Sequence, residues 1–339
     1  MSAVVTLAVD AMGGDHGLPV TVPAVARILA RHPDLHVIMV GEPSALAAAL
    51  KKEKLDDHPR LALTPASEVV AMDDPVAVAL RQKKDSSMRV AINQVKEGRA
   101  LAAVSAGNTG ALMAVSRFVL KTLPGVDRPA ICTAIPTAKG HCHMLDLGAN
   151  VDSEPKHLLQ FALMGQAVVR AVDGLSAPRV ALLNIGEEDI KGNEQIKEAA
   201  TLMQQAADLN YAGFVEGNGI FVGDVDVVVC DGFVGNVSLK TMEGAASMIG
   251  GMFREEAVRS LLRKLSGLFA LPLLRGLKHR LDPERYNGAS LVGLNGIVVK
   301  SHGGTGVEGF VSALEVAVLE AERNVPALIR DALAPADAS

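Results

Sequence analysis

LAAVSAGNTGALMAVSRFVL, Leu101 to Leu120, changes character halfway along. Leu101 to Ser105 is a short apolar run bounded by a glycine loop, which reads as a buried strand. From Thr109 to Leu120 the spacing predicts a helix. A strand that enters a helix through a glycine-containing loop is the repeating unit of an α/β sheet.

The same unit recurs in both directions. On the N-terminal side the chain predicts strands at Val4–Val9, Leu35–Val40 and Leu61–Thr64, with helices at Pro19–Ala30, Ser44–Lys52 and Ser86–Lys96. On the C-terminal side it predicts strands at Ala130–Ile135, His143–Leu147, Val180–Asn184, Phe214–Glu216, Val225–Cys230 and Ile297–Lys300. Helices are expected at Pro155–Val172, Asn193–Ala207, Gly235–Phe253 and Gly306–Glu322. Alternation on this scale predicts an α/β protein, a doubly wound α/β/α sandwich. The whole of residues 1–339 is read as a single two-lobed unit, with residues 335–339 a loose tail.

Composition agrees. Hydrophobic residues are 49% of the chain and charged residues 21%, enough for a substantial core. Aromatics are only 3%, so the core is aliphatic, the palette of strands covered on both faces. A net charge of -5 argues against nucleic acid as a partner. Cys132, Cys142 and Cys230 are too few and too scattered for a disulfide framework, which points to a cytoplasmic protein. Met1–Asp10 has no basic segment followed by a cleavable apolar run, and no apolar stretch nears the roughly 20 residues that span a bilayer.

Ligands of open α/β sheets bind where strands end and loops enter helices. Glycine-rich polar loops stand there at Asp10–His16, Ser105–Gly110, Asp146–Asp152, Asn184–Glu188, Asp231–Asn236 and Ser301–Thr305. Any one of them is an ordinary turn and cap; six in phase with strand ends point to a site that admits an anion to free N–H groups. Neither the G-x-G-x-x-G spacing nor a G-x-x-x-x-G-K-[ST] run occurs, so nucleotide readings lose ground. Lys83-Lys84-Asp85-Ser86-Ser87 fits either a phosphate cradle or a solvated basic turn with a helix cap. His141 and His143 share a strand face, but no further Cys/His pair lies nearby in sequence, so no metal is expected. Cys132 and Cys230 read as core residues and no G-x-S-x-G elbow occurs, so no acyl-enzyme nucleophile is expected.

Residues 252–285 stand apart as an amphipathic, basic helical element. Leu262, Leu268 and Phe269 lie on its apolar side, with Arg254, Arg259, Arg263 and Lys264 opposite. This suits an anionic membrane surface or an acidic partner. A helix pair packed in a dimer interface fits the same pattern.

The loops, in this order, resemble the acyl-acyl carrier protein:phosphate acyltransferases, the PlsX family of bacterial phospholipid synthesis. The resemblance runs from about Val4 to Ala321 and is carried by VDAMGGD (Val9–Asp15), KKDSSM (Lys83–Met88), VSAGNTGALMA (Val104–Ala114), LDLGANVD (Leu145–Asp152), LLNIGEEDIKGNE (Leu182–Glu194), GDVDVVVCDGFVGNVSLKT (Gly223–Thr241) and VKSHGG (Val299–Gly304). It implies a fold similar to the phosphotransacetylase and isocitrate-dehydrogenase-like enzymes, with residues 252–285 protruding. It also implies a homodimer, transfer of a fatty acyl group from acyl carrier protein to inorganic phosphate, peripheral membrane association, and no cofactor or metal.

For that reaction the site must hold phosphate in line with a thioester carbonyl. Lys83, Lys84, Ser86 and Ser87, with loop amides at Gly13, Gly14 and Gly107, are candidates to do so. Asp10, Asp15, Ser105, Thr109, Asp152 and Asp231 belong to the same substrate loops. Asn108, Asn150 and Asn236 are candidate oxyanion donors. Lys191 is the candidate for charge stabilisation and His302 for proton transfer. The chain departs from the family pattern at Gly219, where Asp is usual, and at Gly306, where an acidic residue is more usual.

Overall fold

The computed structural model describes residues 4–259 and 283–334. The chain opens with β1 (Thr6–Asp10), α1 (Leu18–Arg31), β2 (His36–Gly41), α2 (Pro43–Lys52), β3 (Leu61–Pro65), α3 (Val76–Arg81), α4 (Ser87–Lys96), β4 (Ala102–Ser105) and α5 (Thr109–Leu120). A second block holds β5 (Ala130–Thr137), β6 (Gly140–Leu145), α6 (Pro155–Val172), β7 (Val180–Leu183), α7 (Glu194–Gln205), β8 (Tyr211–Val215), β9 (Val227–Val229) and α8 (Gly232–Val258). The chain then returns through β10 (Ala289–Val292), β11 (Ile297–Lys300), α9 (Val307–Arg323) and α10 (Val325–Ala332).

Among the described residues the strands form one sheet of eleven, in the order β3-β2-β1-β4-β11-β10-β5-β6-β9-β7-β8. The first five run parallel, as do β6, β9, β7 and β8. Between these blocks the pairs β11–β10, β10–β5 and β5–β6 are antiparallel, so the sheet is mixed. The reason is connection length. Only Ala138 and Lys139 separate β5 from β6, and only residues 293–296 separate β10 from β11, too few for the crossover a parallel pair needs.

The strands alternate with period two between the two faces. In the first block Leu7, Val9, Val37, Met39, Val104 and Val299 face α1 and α9, in a core that includes the fully buried Phe310. Ala8, Ile38, Ala103 and Val298 face the other way, towards α4 and α5. In the second block Cys132, Leu145, Leu182, Val227 and Val229 pack on α6, α7 and α10, and Met144, Ala181 and Val228 on the α8 side. Both faces are covered, as double winding requires.

The sequence did not predict α3, β10 or α10. Of the basic element at 252–285, only its start is described: α8 continues through Val258, and Met252 and Phe253 are exposed there. Only the backbone of Arg254 is described, and Leu262, Arg263, Lys264, Leu268 and Phe269 lie outside the described residues, as do 335–339. Arg259 makes an exposed pair with Glu256 at 2.7 Å, which contributes little to stability. No helix among the described residues is long and apolar enough to cross a membrane.

Candidate active site at the β1–β4 crossing

The chain leaves β1 for β2 and β3 on one side, then crosses back to place β4 on the other. Loops at the carboxyl ends of β1 and β4 therefore diverge, opening the crevice where ligands of such sheets bind. Asp10 closes β1 and Ser105 closes β4, both buried, and the Ser105 hydroxyl donates to Asp10 Oδ2 at 2.7 Å. Ser105 Oγ also accepts from the Gly107 N–H at 3.0 Å. Asp10 Oδ1 and the Ser87 hydroxyl are buried without a hydrogen-bond partner. Burial pushes the Asp10 carboxyl above its ordinary range, against the pull of Ser87, Ser105 and the Met12 and Gly13 backbone.

Glycine is required here by close approach. A Cβ on Gly13 would stand 2.6 Å from Asp10 Oδ2 and 3.0 Å from the Gly107 nitrogen. Gly14, at φ +88, would meet Ala106 at 2.9 Å and the Gly303 carbonyl at 3.0 Å. Three loops thus close on one another, fastened by Asp15 N–H to Gly303 O at 3.0 Å and Ser301 N–H to Ser105 O at 2.9 Å.

Lys300, the last residue of β11, supplies the cation. It is buried, and its Nζ donates to the Ala106 carbonyl at 3.2 Å and to that of Ser301. Burial pulls its pKa down to about 8; Asp15 and Asp10 oppose that pull, and Lys240 of α8 adds to it. The sequence reading did not single out Lys300. Its signal was a lysine ending an otherwise apolar strand, Ile-Val-Val-Lys, directly before a glycine loop.

Several expected donors are occupied. The Asn108 amide donates to Met72 O at 2.7 Å, and its Oδ1 accepts from Ala111 N–H at 3.0 Å, capping α5. The Asn108 side chain therefore caps α5 and holds the Met72 loop at the edge of the cluster. Lys83 is paired with Asp74 and donates to Val69 O at 2.8 Å, so it secures the Met72–Asp74 loop. Ser86 caps α4 through the Arg89 N–H and donates to Lys83 O at 2.9 Å, while Lys84 is exposed. Of that run, Ser87 alone joins the Asp10 cluster. His302 is exposed, and its Nδ1 accepts from the Gly304 N–H at 3.2 Å. At Gly306 a carboxylate arrives from elsewhere in the chain, Glu284 Oε1 accepting its N–H at 3.2 Å.

A second polar knot lies at the end of β6. Asp146 is fully buried and accepts from the Ile131, Ala149 and Asn150 N–H groups and from the Asn150 amide. Asn150 also donates to Pro129 O at 2.8 Å, so its amide is spent on the loop. Asp231 caps α8 by accepting from the Phe233 and Val234 N–H groups. This seats the first turn of α8 against the loop and leaves Asn236 exposed beside Gly148. Asp152 is exposed, its carbonyl held by Arg128 at 2.9 Å.

Between Asn236 and α5 runs a groove of about 900 Å³, with Thr109 on its rim. Lys191 belongs to neither knot: it is exposed, and its backbone is held by Glu188 and Asn184 within its own loop.

Away from these loops, His141 and His143 each bond Asp173 at 3.1 Å, a third partner that sequence spacing did not show. Burial opposes the pair of contacts, yet they hold Asp173 well below the carboxylate range. The cysteines are buried, and burial pushes the Cys142 thiol up to about 12 and those of Cys132 and Cys230 well upward, which leaves no thiolate nucleophile.

Comparison with known proteins agrees. A family model described as "Fatty acid synthesis protein" matches residues 5–328. A protein of Alcanivorax borkumensis named phosphate acyltransferase is 79% identical over 97% of this chain and 98% of its own. One of the same name from Halorhodospira halophila is 56% identical over 97% of this chain and 96% of its own. Among solved structures, the EutD phosphotransacetylase from Staphylococcus aureus is similar at TM-score 0.63 and 17% identity, covering 94% of this chain and 95% of its own. A phosphotransacetylase from Streptococcus pyogenes is similar at TM-score 0.64, covering 94% of each chain, which shows the shared fold. With its sheet, its loops and nearly its whole length matched, the chain belongs to the fatty acid synthesis protein family.

Proposed function

We propose that this chain is a phosphate acyltransferase that takes a fatty acyl group from acyl carrier protein and passes it to inorganic phosphate, giving acyl phosphate for phospholipid synthesis. The relatives' shared name supports the acceptor and the reaction class. The observation that carries the chemistry is the buried Lys300 beside the unpartnered Asp10 Oδ1 and Ser87 hydroxyl, within glycine loops that admit no side chain.

Phosphate is already an anionic nucleophile, so the site must chiefly hold it and exclude alternatives. Lys300 supplies charge in a desolvated setting, where it counts most. Burial, which pushes the Asp10 carboxyl above its ordinary range, lessens its repulsion of a bound phosphate, and the Ser87 hydroxyl offers a donor. A phosphate oxygen then bonds the thioester carbonyl carbon. The tetrahedral oxyanion collapses, the C–S bond breaks, and the pair leaves on sulfur, which takes a proton to become the free carrier thiol. Lys300, at about 8, is close to the ordinary thiol pKa of about 8.5 and is suited to give that proton. Lys191 and Asn236 face solvent on the second block and are the remaining candidates for the oxyanion. Peripheral membrane binding and a homodimer belong to the same reading.

The test is phosphate-dependent release of free thiol from a long-chain acyl-acyl carrier protein, run beside the matching acyl-coenzyme A. Acyl phosphate formed from the carrier substrate is the expected result. Turnover with acyl-coenzyme A alone would move the donor to that thioester, and release of thiol without phosphate would overturn the acceptor.

A further inference from the structure

The groove beside α5 follows one face of that helix for its whole length. Its wall takes Thr109, Met113, Arg117 and Lys121 at four-residue intervals, with Gly110, Ala114, Phe118 and Thr122 next to them. Twelve residues at 1.5 Å each make this wall about 18 Å long. Its chemistry is graded along that length. The N-terminal end adjoins Gly107 and Asn108, and so the Asp10–Ser105 knot. The middle is lined by Leu80, Met113 and Ala114, with Ile131 and Leu147 also in the lining.

The far end is cationic. Phe118 is half exposed, with the Arg89 guanidinium 5.2 Å from its ring centroid and the Lys121 ammonium 4.8 Å from it. Arg117 stands beside it on the rim. Among the described residues, none of these three cations is in an ion pair; Arg89 donates to Leu80 O at 3.0 Å. The ring draws Lys121 to the groove's end, and with no carboxylate paired to Arg117 or Lys121 their N–H groups are left to make charge-assisted bonds to an anion.

We infer that the α5 groove is the seat of the 4′-phosphopantetheine arm of the acyl donor, with the thioester at the Thr109 end and the phosphodiester clamped by Arg117 and Lys121. The inference deepens the reading given under Proposed function and rests on it. An arm of this kind has a reactive sulfur at one end, an amide-linked chain with a gem-dimethyl group in the middle, and a phosphodiester at the other end. The groove presents an anion-holding knot, a mostly apolar mid-section and a cation pair in the same order. Orientation follows from charge: the reversed arm would bring a second anion against the phosphate cage and leave the cations idle. The clamp reads the arm itself, whether the arm comes on carrier protein or on coenzyme A.

The test compares decanoyl-4′-phosphopantetheine with decanoyl-pantetheine, which lacks only the phosphate, in the wild type and in the double variant Arg117→Ala/Lys121→Ala. The wild type is expected to favour the phosphorylated thioester in kcat/KM by on the order of tenfold or more, as loss of a charge-assisted contact implies. In the double variant that preference shrinks towards unity. Calorimetric binding of unacylated phosphopantetheine and pantetheine gives the same comparison without turnover, and circular dichroism checks that the variant is folded. A variant that keeps the wild-type preference, or a wild type without one, overturns the inference while leaving the acyl transfer intact. A wild type that turns over no thioester with phosphate overturns the proposed function instead, and the calorimetric arm still decides the groove. Matched decanoyl-carrier protein and decanoyl-coenzyme A then show which source delivers the arm, and either preference is compatible with the clamp.

Discussion

At the residue scale the decisive group is a lysine forced to work out of water. Burial favours the neutral amine of Lys300, and its pKa of about 8 puts the change of charge within reach of ordinary assays. Phosphate binding should therefore weaken as pH rises through about 8, seen as a rising KM for phosphate. In Lys300→Met the KM should be high at every pH and lack that limb. Stability should move the other way. The unfolded chain holds this proton up to about 10.5 while the folded chain releases it at about 8, so this group makes folding more favourable as pH climbs between those values. Denaturant midpoints of wild type and Lys300→Met across that window check the sign. Glu320, buried against Ser290 Oγ at 2.8 Å and pushed by burial up to about 7, carries the opposite linkage. The folded chain keeps its proton where the unfolded chain has lost it. The resulting stability is full below pH about 4.5 and is lost as pH rises through about 7. Glu320→Gln should abolish that decline, measured as thermal midpoints at pH 5 and pH 8 (about the two ends of the window).

At the element scale, two helices wall the groove, and each is fixed by its first turn. For α5 the fastening is Asn108, whose side chain caps the helix and ties down the Met72 loop. For α8 it is the absence of a side chain. A Cβ on Gly235 would sit 1.9 Å from the Asp146 carbonyl oxygen and 2.8 Å from Cys230 Sγ, closer than any relaxation of one side chain can relieve. Gly235→Ala should cost about 1–3 kcal/mol or more and shift the Asn236 wall, lowering both the thermal midpoint and kcat/KM. The sequence showed most of this architecture, because buried parallel strands leave long apolar runs and helices leave their spacing. Strand direction was not legible, since the hairpins β5–β6 and β10–β11 carry the same apolar runs as crossover strands. The loops that build the cage were legible through their glycines. Which side chains stay free within them was not: Asn108, Lys83 and Asn150 are polar residues in the expected places, but their bonds go to neighbours far along the chain. Lys300 was hidden for the converse reason, as a charge inside an apolar strand.

At the scale of the whole molecule, ligand and fold are coupled, because the cage is assembled from loops after β1, β4 and β11, which are remote in sequence and adjacent in the sheet. Inorganic phosphate at a hundred times its Kd should raise the stability of the wild type by about 2.7 kcal/mol, and should do so far less in Lys300→Met. Differential scanning fluorimetry with phosphate, at matched ionic strength, reads this directly. The hairpin β10–β11 has one more consequence. It lies between β4 and β5, so among the described residues the sheet joins its two blocks through the last of its strands to leave the ribosome. Until Ile297–Lys300 emerges, the nascent chain carries two unpaired strand edges facing the gap, the condition that invites misassociation and chaperone capture. The strand that closes the gap also brings the lysine. A chain halted before it is thus both unfinished as a fold and without its central cation, and synthesis completes the two together.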